Sequence, residues 1–364
     1  MKRITLISKC KWDKSYCNIY YKNNKNKRVF AKKLDKETFY VDVDELEVDY
    51  VSFSNGHKEK TNFIYVNGIE DTYIYKYNKA IKKNALYVNS NSKDGLINSI
   101  VLVDKKNLSC WTGKKRIWIY SPSFYDEKDK YGLIIAFDGQ NAFFKNKMEK
   151  KNPYGGIQLD EYVEKIKEKT GKKYIVVGID NGSKYRDEEL TMDSSFGEVC
   201  ADNIENNEGF YNGNLDGLLD FIIETVLPYV RRNYSIDCSN VGLYGASSGG
   251  LASFYGALRN PDVYSFALSF SPAFLLFSMK DFESFIDSRI KQKMDVPYIY
   301  MYSGKKGKLE NTICGPTKDM YELLKKKKEF KNRFMMRINN SGNHNEIYWR
   351  IAISEGLKFI IDYK

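Results

Sequence analysis

Histidine is almost missing from this chain. It occurs twice in 364 residues, as His57 and His344. Any reaction that needs an imidazole base has only these two places to find it. Closely paired cysteines are missing too. Cys10, Cys17, Cys110, Cys200, Cys238 and Cys314 are scattered, with no Cys-x-x-Cys spacing. That speaks against a zinc site or a disulfide framework and for reduced thiols in a cytoplasmic protein. No stretch approaches the roughly 18 apolar residues of a membrane span. No apolar segment accompanies the basic residues in 1–17, so no secretory signal is expected. The net charge of +11 comes without any nucleic-acid-binding motif. Lysine, asparagine, isoleucine and tyrosine are all abundant, as in a compositionally biased genome. Lysine runs such as residues 325–328 fall where solvated surface is expected. Neither nucleic acid nor a membrane is therefore an expected partner.

What is present is ordinary for a globular protein, with 42% hydrophobic and 29% charged residues. The length suffices for a large core and two domains. Residues 1–92 read as short strands rich in Val, Ile, Tyr and Phe, at 3–8, 15–21, 38–43, 49–53, 62–66 and 72–77. Polar turns such as 23–26 and 54–56 separate them. This pattern predicts a small all-β sandwich. The polar segment 89–95 is the expected linker. Residues 93–364 then alternate strand and helix. Predicted strands are 117–120, 133–137, 174–179, 241–244, 266–270, 298–302 and 334–338. Several are near-continuous apolar runs, as for strands covered on both faces. Leu215, Leu218, Leu219, Ile222, Ile223, Val226 and Val230 form one apolar helical stripe, which Pro228 is expected to bend near its end. The expected architecture is a mostly parallel sheet with helices on both faces.

The segment Val241-Gly242-Leu243-Tyr244-Gly245-Ala246-Ser247-Ser248-Gly249-Gly250 is an apolar run closing in Gly-x-Ser-x-Gly. A strand, a sharp turn carrying Ser247 and a following helix would expose that hydroxyl as a nucleophile. The flanking glycines are expected because a neighbouring Cβ would clash in so strained a turn. A serine hydroxyl needs an adjacent base, and histidine has a suitable pKa. Only His344 follows Ser247. It lies in a polar loop after the last predicted strand, in the chain order Ser, acid, His. His57 reads as an exposed loop residue. The acid should follow the strand at 298–302. Glu310 is preferred there, with Asp319 and Asp295 as the other carboxylates. Backbone N–H groups of Ser248 and Gln140 are the candidate oxyanion donors. Asp138, Asn141 and Phe274 are candidate substrate contacts. Segments 193–213 and 274–285 are expected to wall the pocket, although the second also reads as a core helix.

Six ordered blocks carry a wider resemblance. They are Arg116 to Pro122, Asp138 to Phe143, Gly178 to Gly182 with Arg186 and Glu189, Gly245 to Leu251, Leu268 to Ala273, and Gly342 to His344 with Glu346, Trp349 and Arg350. From about Lys114 onward the chain resembles the esterase D / enterochelin-esterase-like family of α/β-hydrolases, which includes feruloyl esterases and mycolyltransferases. The resemblance implies an α/β-hydrolase fold and Ser247, Glu310 and His344 as a triad. It also implies the Gln140 and Ser248 oxyanion donors, with no metal or organic cofactor needed. The expected function is a serine carboxylic ester hydrolase acting on a small-molecule or glycan-linked ester. The alternatives are an acyltransferase on the same triad and a non-catalytic glycan-binding protein. Residues 1–92 loosely resemble small starch-binding or early-set β-sandwiches, through Trp12-Asp13 and the stretch Tyr50 to Gly56 with Thr61. A carbohydrate-binding role and a lid role both stay open for them. The oligomeric state is not readable.

Overall fold

A computed structural model describes residues 2–8, 12–23, 25–44, 47–56, 61, 64–65, 72–75, 80–82, 86–89, 95–103, 113–122, 125–143, 154–200, 210–211, 213–292 and 295–363. The chain divides into two compact units. One comprises Met1–Val101 and Trp118–Asp129, the other Leu102–Ile117 and Lys130–Lys364. His57 lies outside the described residues, as do most of the expected linker (90–94) and 201–209 of the expected pocket wall.

The first unit is built of short strands. They are β1 (Lys2–Ser8), β2 (Tyr16–Tyr21), β3 (Asn26–Phe30), β4 (Lys32–Lys33), β5 (Thr38–Val43), β6 (Val48–Ser54), β7 (Ile64–Tyr65), β8 (Thr72–Tyr75), β9 (Ala80–Lys82), β10 (Leu86–Asn89) and β11 (Gly95–Val103). One sheet runs β4-β5-β1-β8-β9-β10-β11 and the other β3-β2-β6-β7. Pairing is antiparallel in both, apart from β1 with β8. Alternate residues point to opposite faces of a strand. Ile4, Leu6, Phe39 and Val41 of the first sheet therefore meet Cys17, Ile19, Val51 and Phe53 of the second in one apolar cluster. This is the expected sandwich. Trp12 is 3% exposed and belongs to that cluster, so it fills the core and offers no face to a sugar.

The second unit is built on a mostly parallel sheet. Its strands are β12 (Lys114–Pro122), β13 (Tyr131–Phe137), β14 (Tyr174–Ile179), β15 (Ile236–Ala246), β16 (Phe266–Phe270), β17 (Tyr298–Gly304) and β18 (Phe334–Asn339), in the order β18-β17-β16-β15-β13-β14-β12. The pairs from β14 through β18 are all parallel. Every residue of β13, β14 and β16 is buried, as expected where helices cover both faces. β15 begins five residues before its predicted start. Those residues include exposed Ser239 and Cys238, which carry no apolar signal.

The helices are α1 (Leu159–Thr170), α2 (Arg186–Glu189), α3 (Leu215–Phe221), α4 (Leu227–Asn233), α5 (Ser248–Arg259), α6 (Met279–Lys291), α7 (Lys308–Lys325) and α8 (Glu346–Tyr363). The stripe from Leu215 to Val230 is one helical run whose middle, Ile222–Val226, widens to a π turn. Pro228 supplies the cause. It has no N–H for the carbonyl of Glu224, and its ring collides with a regular turn there. The distortion thus sits N-terminal to the proline. Among the described residues no helix is long and apolar enough to cross a membrane.

A parallel sheet gathers the carboxyl ends of its strands on one edge, where such folds bind ligands. Asp138, Ser247 and Ser271 each follow directly on the last residue of β13, β15 and β16. Glu310 and His344 come from the segments that follow β17 and β18.

Candidate active site

Ser247 joins β15 to α5 with φ 59° and ψ −124°. This left-handed backbone is uncommon for any residue but glycine and costs free energy. The local bonds enforce it. Its N–H donates to Phe270 O at 2.9 Å, and its carbonyl accepts from Leu251 N at 3.1 Å and Ala273 N at 3.2 Å. The two motif glycines are unequal. A Cβ on Gly245 would meet Gly249 O at 2.0 Å. A Cβ on Gly249 would meet nothing closer than 3.4 Å, whereas one on Gly250 would strike Phe270 O at 2.5 Å. The expected clash is therefore real at Gly245, absent at Gly249, and present one residue later at Gly250. Gly250→Ala is expected to lower stability by about 1–3 kcal/mol in urea unfolding. Gly249→Ala should hold or raise it, because alanine is the better helix former.

Glu310 lies in the first turn of α7 and is 1% exposed. It is buried, unlike a salt-bridging residue in a lysine-rich loop. Its Oε1 accepts from Ser271 Oγ at 2.5 Å. Its Oε2 stands 3.7 Å from His344 Nδ1, beyond hydrogen-bond length. Neither Oε2 nor Nδ1 has another hydrogen-bond partner among the described residues. The two atoms face each other, and a shift of under 1 Å would join them. The other two carboxylates do not compete. Asp295 is exposed at the amino end of β17, on the opposite edge of the sheet. Asp319 is exposed midway along α7. His344 packs edge-on against Trp349 of α8, centroids 5.0 Å apart. Asn345 caps α8 by accepting from Ile347 N at 3.1 Å, which anchors the histidine loop. The backbone N–H groups of Lys305 and Lys306 hold the other end, donating to Gly342 O at 3.1 and 2.8 Å.

Ser248 opens α5. The first N–H groups of a helix have no carbonyl within it, and the first such bond here is Leu251 N to Ser247 O. Facing this turn is the short 3-10 turn Gly139–Asn141, entered through Asp138 at φ 54°. Arg186 clamps Asp138 with two bonds of 2.8 Å, and Asn181 Nδ2 adds a third at 2.6 Å. Burial alone would raise the Asp138 pKa, but these donors hold it below the usual carboxylate range. Asp138 is thereby committed to its neighbours, which fix the strained entry to the turn holding Gln140 and Asn141. The Gln140 side chain accepts from Asn181 N at 3.3 Å. Arg186 Nη1 is 3.5 Å from Ser248 Oγ, which is 3.4 Å from Asp187 Oδ1. The Gln140 turn and the serine elbow are thus tied through one cation.

Beneath this loop, Lys115 Nζ lies 2.7 Å from both carboxylate oxygens of Glu189, the side chains being 3% and 1% exposed. Glu189 also accepts from Gly182 N at 2.6 Å, and Lys115 donates to Asp180 O at 3.1 Å. Burial nevertheless leaves the Glu189 pKa raised. The sequence marked Arg186 and Glu189 without partners. Lys115 reads there as one more lysine, and only the fold shows it buried.

Residues 111–360 match the profile of a family described as Putative esterase. The chain belongs to that family. It is a carboxylic ester hydrolase with the α/β-hydrolase fold and an added N-terminal sandwich. Three solved structures show the same fold at low identity. An IroE-like serine hydrolase from Shewanella oneidensis is 15% identical with a TM-score of 0.54, covering 71% of this chain and 79% of its own. The siderophore hydrolase EstB from Aspergillus nidulans is 17% identical with a TM-score of 0.51, covering 72% and 93%. A feruloyl esterase module from Clostridium thermocellum, complexed with sinapinate, is 16% identical with a TM-score of 0.52, covering 79% and 97%. No curated protein matches.

In this esterase the segment after β16 is an aromatic cluster. Phe274 is fully buried, edge-on to Phe254 at 4.9 Å and Phe282 at 5.2 Å. Its side chain offers no surface to a ligand, and the core-helix reading fits it. Phe196, from the expected first wall, packs on Tyr255, Phe277, Phe282 and Phe285 at 4.9–5.6 Å. The two expected walls therefore share one hydrophobic cluster.

Proposed function

We propose that this esterase cleaves its substrate through an acyl-enzyme on Ser247. Ser247 Oγ attacks the ester carbonyl as His344 Nε2 takes its proton. Glu310 holds His344 at Nδ1, fixing the tautomer and stabilising the imidazolium. The N–H groups of Ser248 and Gln140 receive the oxyanion. His344 passes its proton to the departing alcohol, then activates the water that frees the acid and restores Ser247. The observation that carries this reading is the buried Glu310 carboxylate facing Nδ1 of the only described histidine, on the sheet edge that bears the Ser247 elbow.

For the substrate we propose an acidic or phenolic acyl ester. The exposed Lys305, Lys306 and Lys308 border the histidine loop, and a feruloyl esterase stands among the structural neighbours. The proposed setting is the cytoplasm, in keeping with the free thiols of Cys17, Cys200, Cys238 and Cys314. Residues 1–92 are proposed to be one domain and 93–364 the catalytic one. Asn141 remains a proposed substrate contact.

A fluorophosphonate probe followed by peptide mapping tests the chemistry. The expected adduct is on Ser247, and it disappears in His344→Ala. An adduct on another serine, or none, would defeat the mechanism. A panel of nitrophenyl and hydroxycinnamoyl esters, run with and without an alcohol acceptor, reads the acyl preference. It also separates hydrolysis from acyl transfer.

A further inference from the structure

We propose that Ser271 is a positioning residue for the site acid, its hydroxyl deciding which oxygen of Glu310 faces His344. This deepens the Ser247–His344–Glu310 reading and rests on it. Ser271 follows β16 and is fully buried, with φ 39°. Its N–H donates to Tyr302 O at 2.6 Å, so the backbone is pinned to β17. Its Oγ accepts from Trp349 Nε1 at 2.9 Å and donates to Glu310 Oε1 at 2.5 Å.

The direction of this relay is forced. An indole N–H can only donate. Ser271 Oγ must therefore accept from Trp349, and its single proton is left for Glu310. Oε1 is occupied as an acceptor, and Oε2 is the oxygen left to face His344 Nδ1. A free carboxylate could rotate about its last torsion and present either oxygen, or neither, because that torsion is broad. Ser271 removes that freedom. The same relay ties down Trp349, whose ring packs on the imidazole. One hydroxyl thus fixes both the acid and the wall beside the base. It touches neither substrate nor reacting atoms, so it acts only through Glu310 and Trp349.

The test is a double-mutant cycle in the full chain, with p-nitrophenyl acetate as substrate. Ser271→Ala is expected to lower kcat about 10- to 100-fold, the scale of a misplaced catalytic group. KM should stay within about threefold, because ground-state binding is untouched. Glu310→Gln should cost more, about 10⁴-fold by the precedent of a neutralised triad acid. Ser271→Ala should then cost almost nothing further in the Glu310→Gln background, since it acts through that group. Ser271→Gly deletes the same hydroxyl while suiting the left-handed backbone. It should lose as much kcat as alanine while melting no lower, which separates positioning from folding. Should both prove unstable, Trp349→Phe keeps an aromatic ring at that position and removes the relay's first donor, and is expected to lower kcat several-fold. Full activity in the Ser271 variants beside a crippled Glu310→Gln overturns the role of Ser271 and leaves the acid assignment standing. Additive losses across the cycle also overturn it. Full activity in Glu310→Gln overturns both.

Discussion

Ser247→Ala is expected to remove ester turnover by about a million-fold in kcat, with the fold intact. The size follows from what is lost. Without the hydroxyl no acyl-enzyme forms, and only oxyanion donors and binding remain; in serine hydrolases that residue of catalysis lies about 10⁶ below the full enzyme. The fold should survive because the turn is held by backbone bonds to Phe270, Leu251 and Ala273. Alanine at φ 59° carries much the same strain as serine. Two measurements decide it, kcat on a nitrophenyl ester and the melting temperature. A loss under tenfold would remove the acyl-enzyme from the mechanism. The partnership with His344 has a sharper mark. His344→Ala alone should be nearly as damaging, and adding it to Ser247→Ala should cost almost nothing more, since groups acting as a unit are non-additive.

The second large effect concerns stability. Lys115→Met is expected to lower the unfolding free energy by about 3–5 kcal/mol, because it strands the buried Glu189 carboxylate without its cation. The shift in urea midpoint at unchanged slope would report it. Removing the orphaned charge should restore most of the loss. Glu189→Gln is the right second change, since it keeps an acceptor for Gly182 N, 2.6 Å away. Lys115→Met with Glu189→Gln should therefore be more stable than Lys115→Met alone. If the single variant were as stable as wild type, the pair would contribute nothing to holding the 180–189 loop.

Much of this was legible from residue order. The apolar runs that became β13, β14 and β16 are buried throughout and read as strands without ambiguity. The elbow and the histidine loop stood out because turn chemistry is local. The sandwich was visible in short strands rich in Val, Ile, Tyr and Phe, such as β1 and β5, divided by polar turns. What escaped is what depends on distant segments meeting. Glu310 was preferred for its place after β17, but its burial escaped, because it sits among lysines in sequence and only the helix start turns it inward. Lys115 pairs with Glu189 across 74 positions, and Trp349 reaches Ser271 across 78. No periodicity encodes such pairs. The requirement at Gly250 was equally hidden, because it comes from Phe270 O on the neighbouring strand.

Three adjoining strands, β13, β15 and β16, each end by passing into a non-glycine residue with positive φ: Asp138, Ser247 and Ser271. Such backbone costs on the order of 1–3 kcal/mol per residue. At Asp138 and Ser271 the side chains offset that cost through bonds to Arg186, Glu310 and Trp349. Glycine at Ser247 would relax the main chain and delete the hydroxyl the reaction is proposed to use. A laboratory population selected for heat resistance alone would find that one substitution attractive, so thermostable variants of this esterase should be sought with Ser247 held fixed.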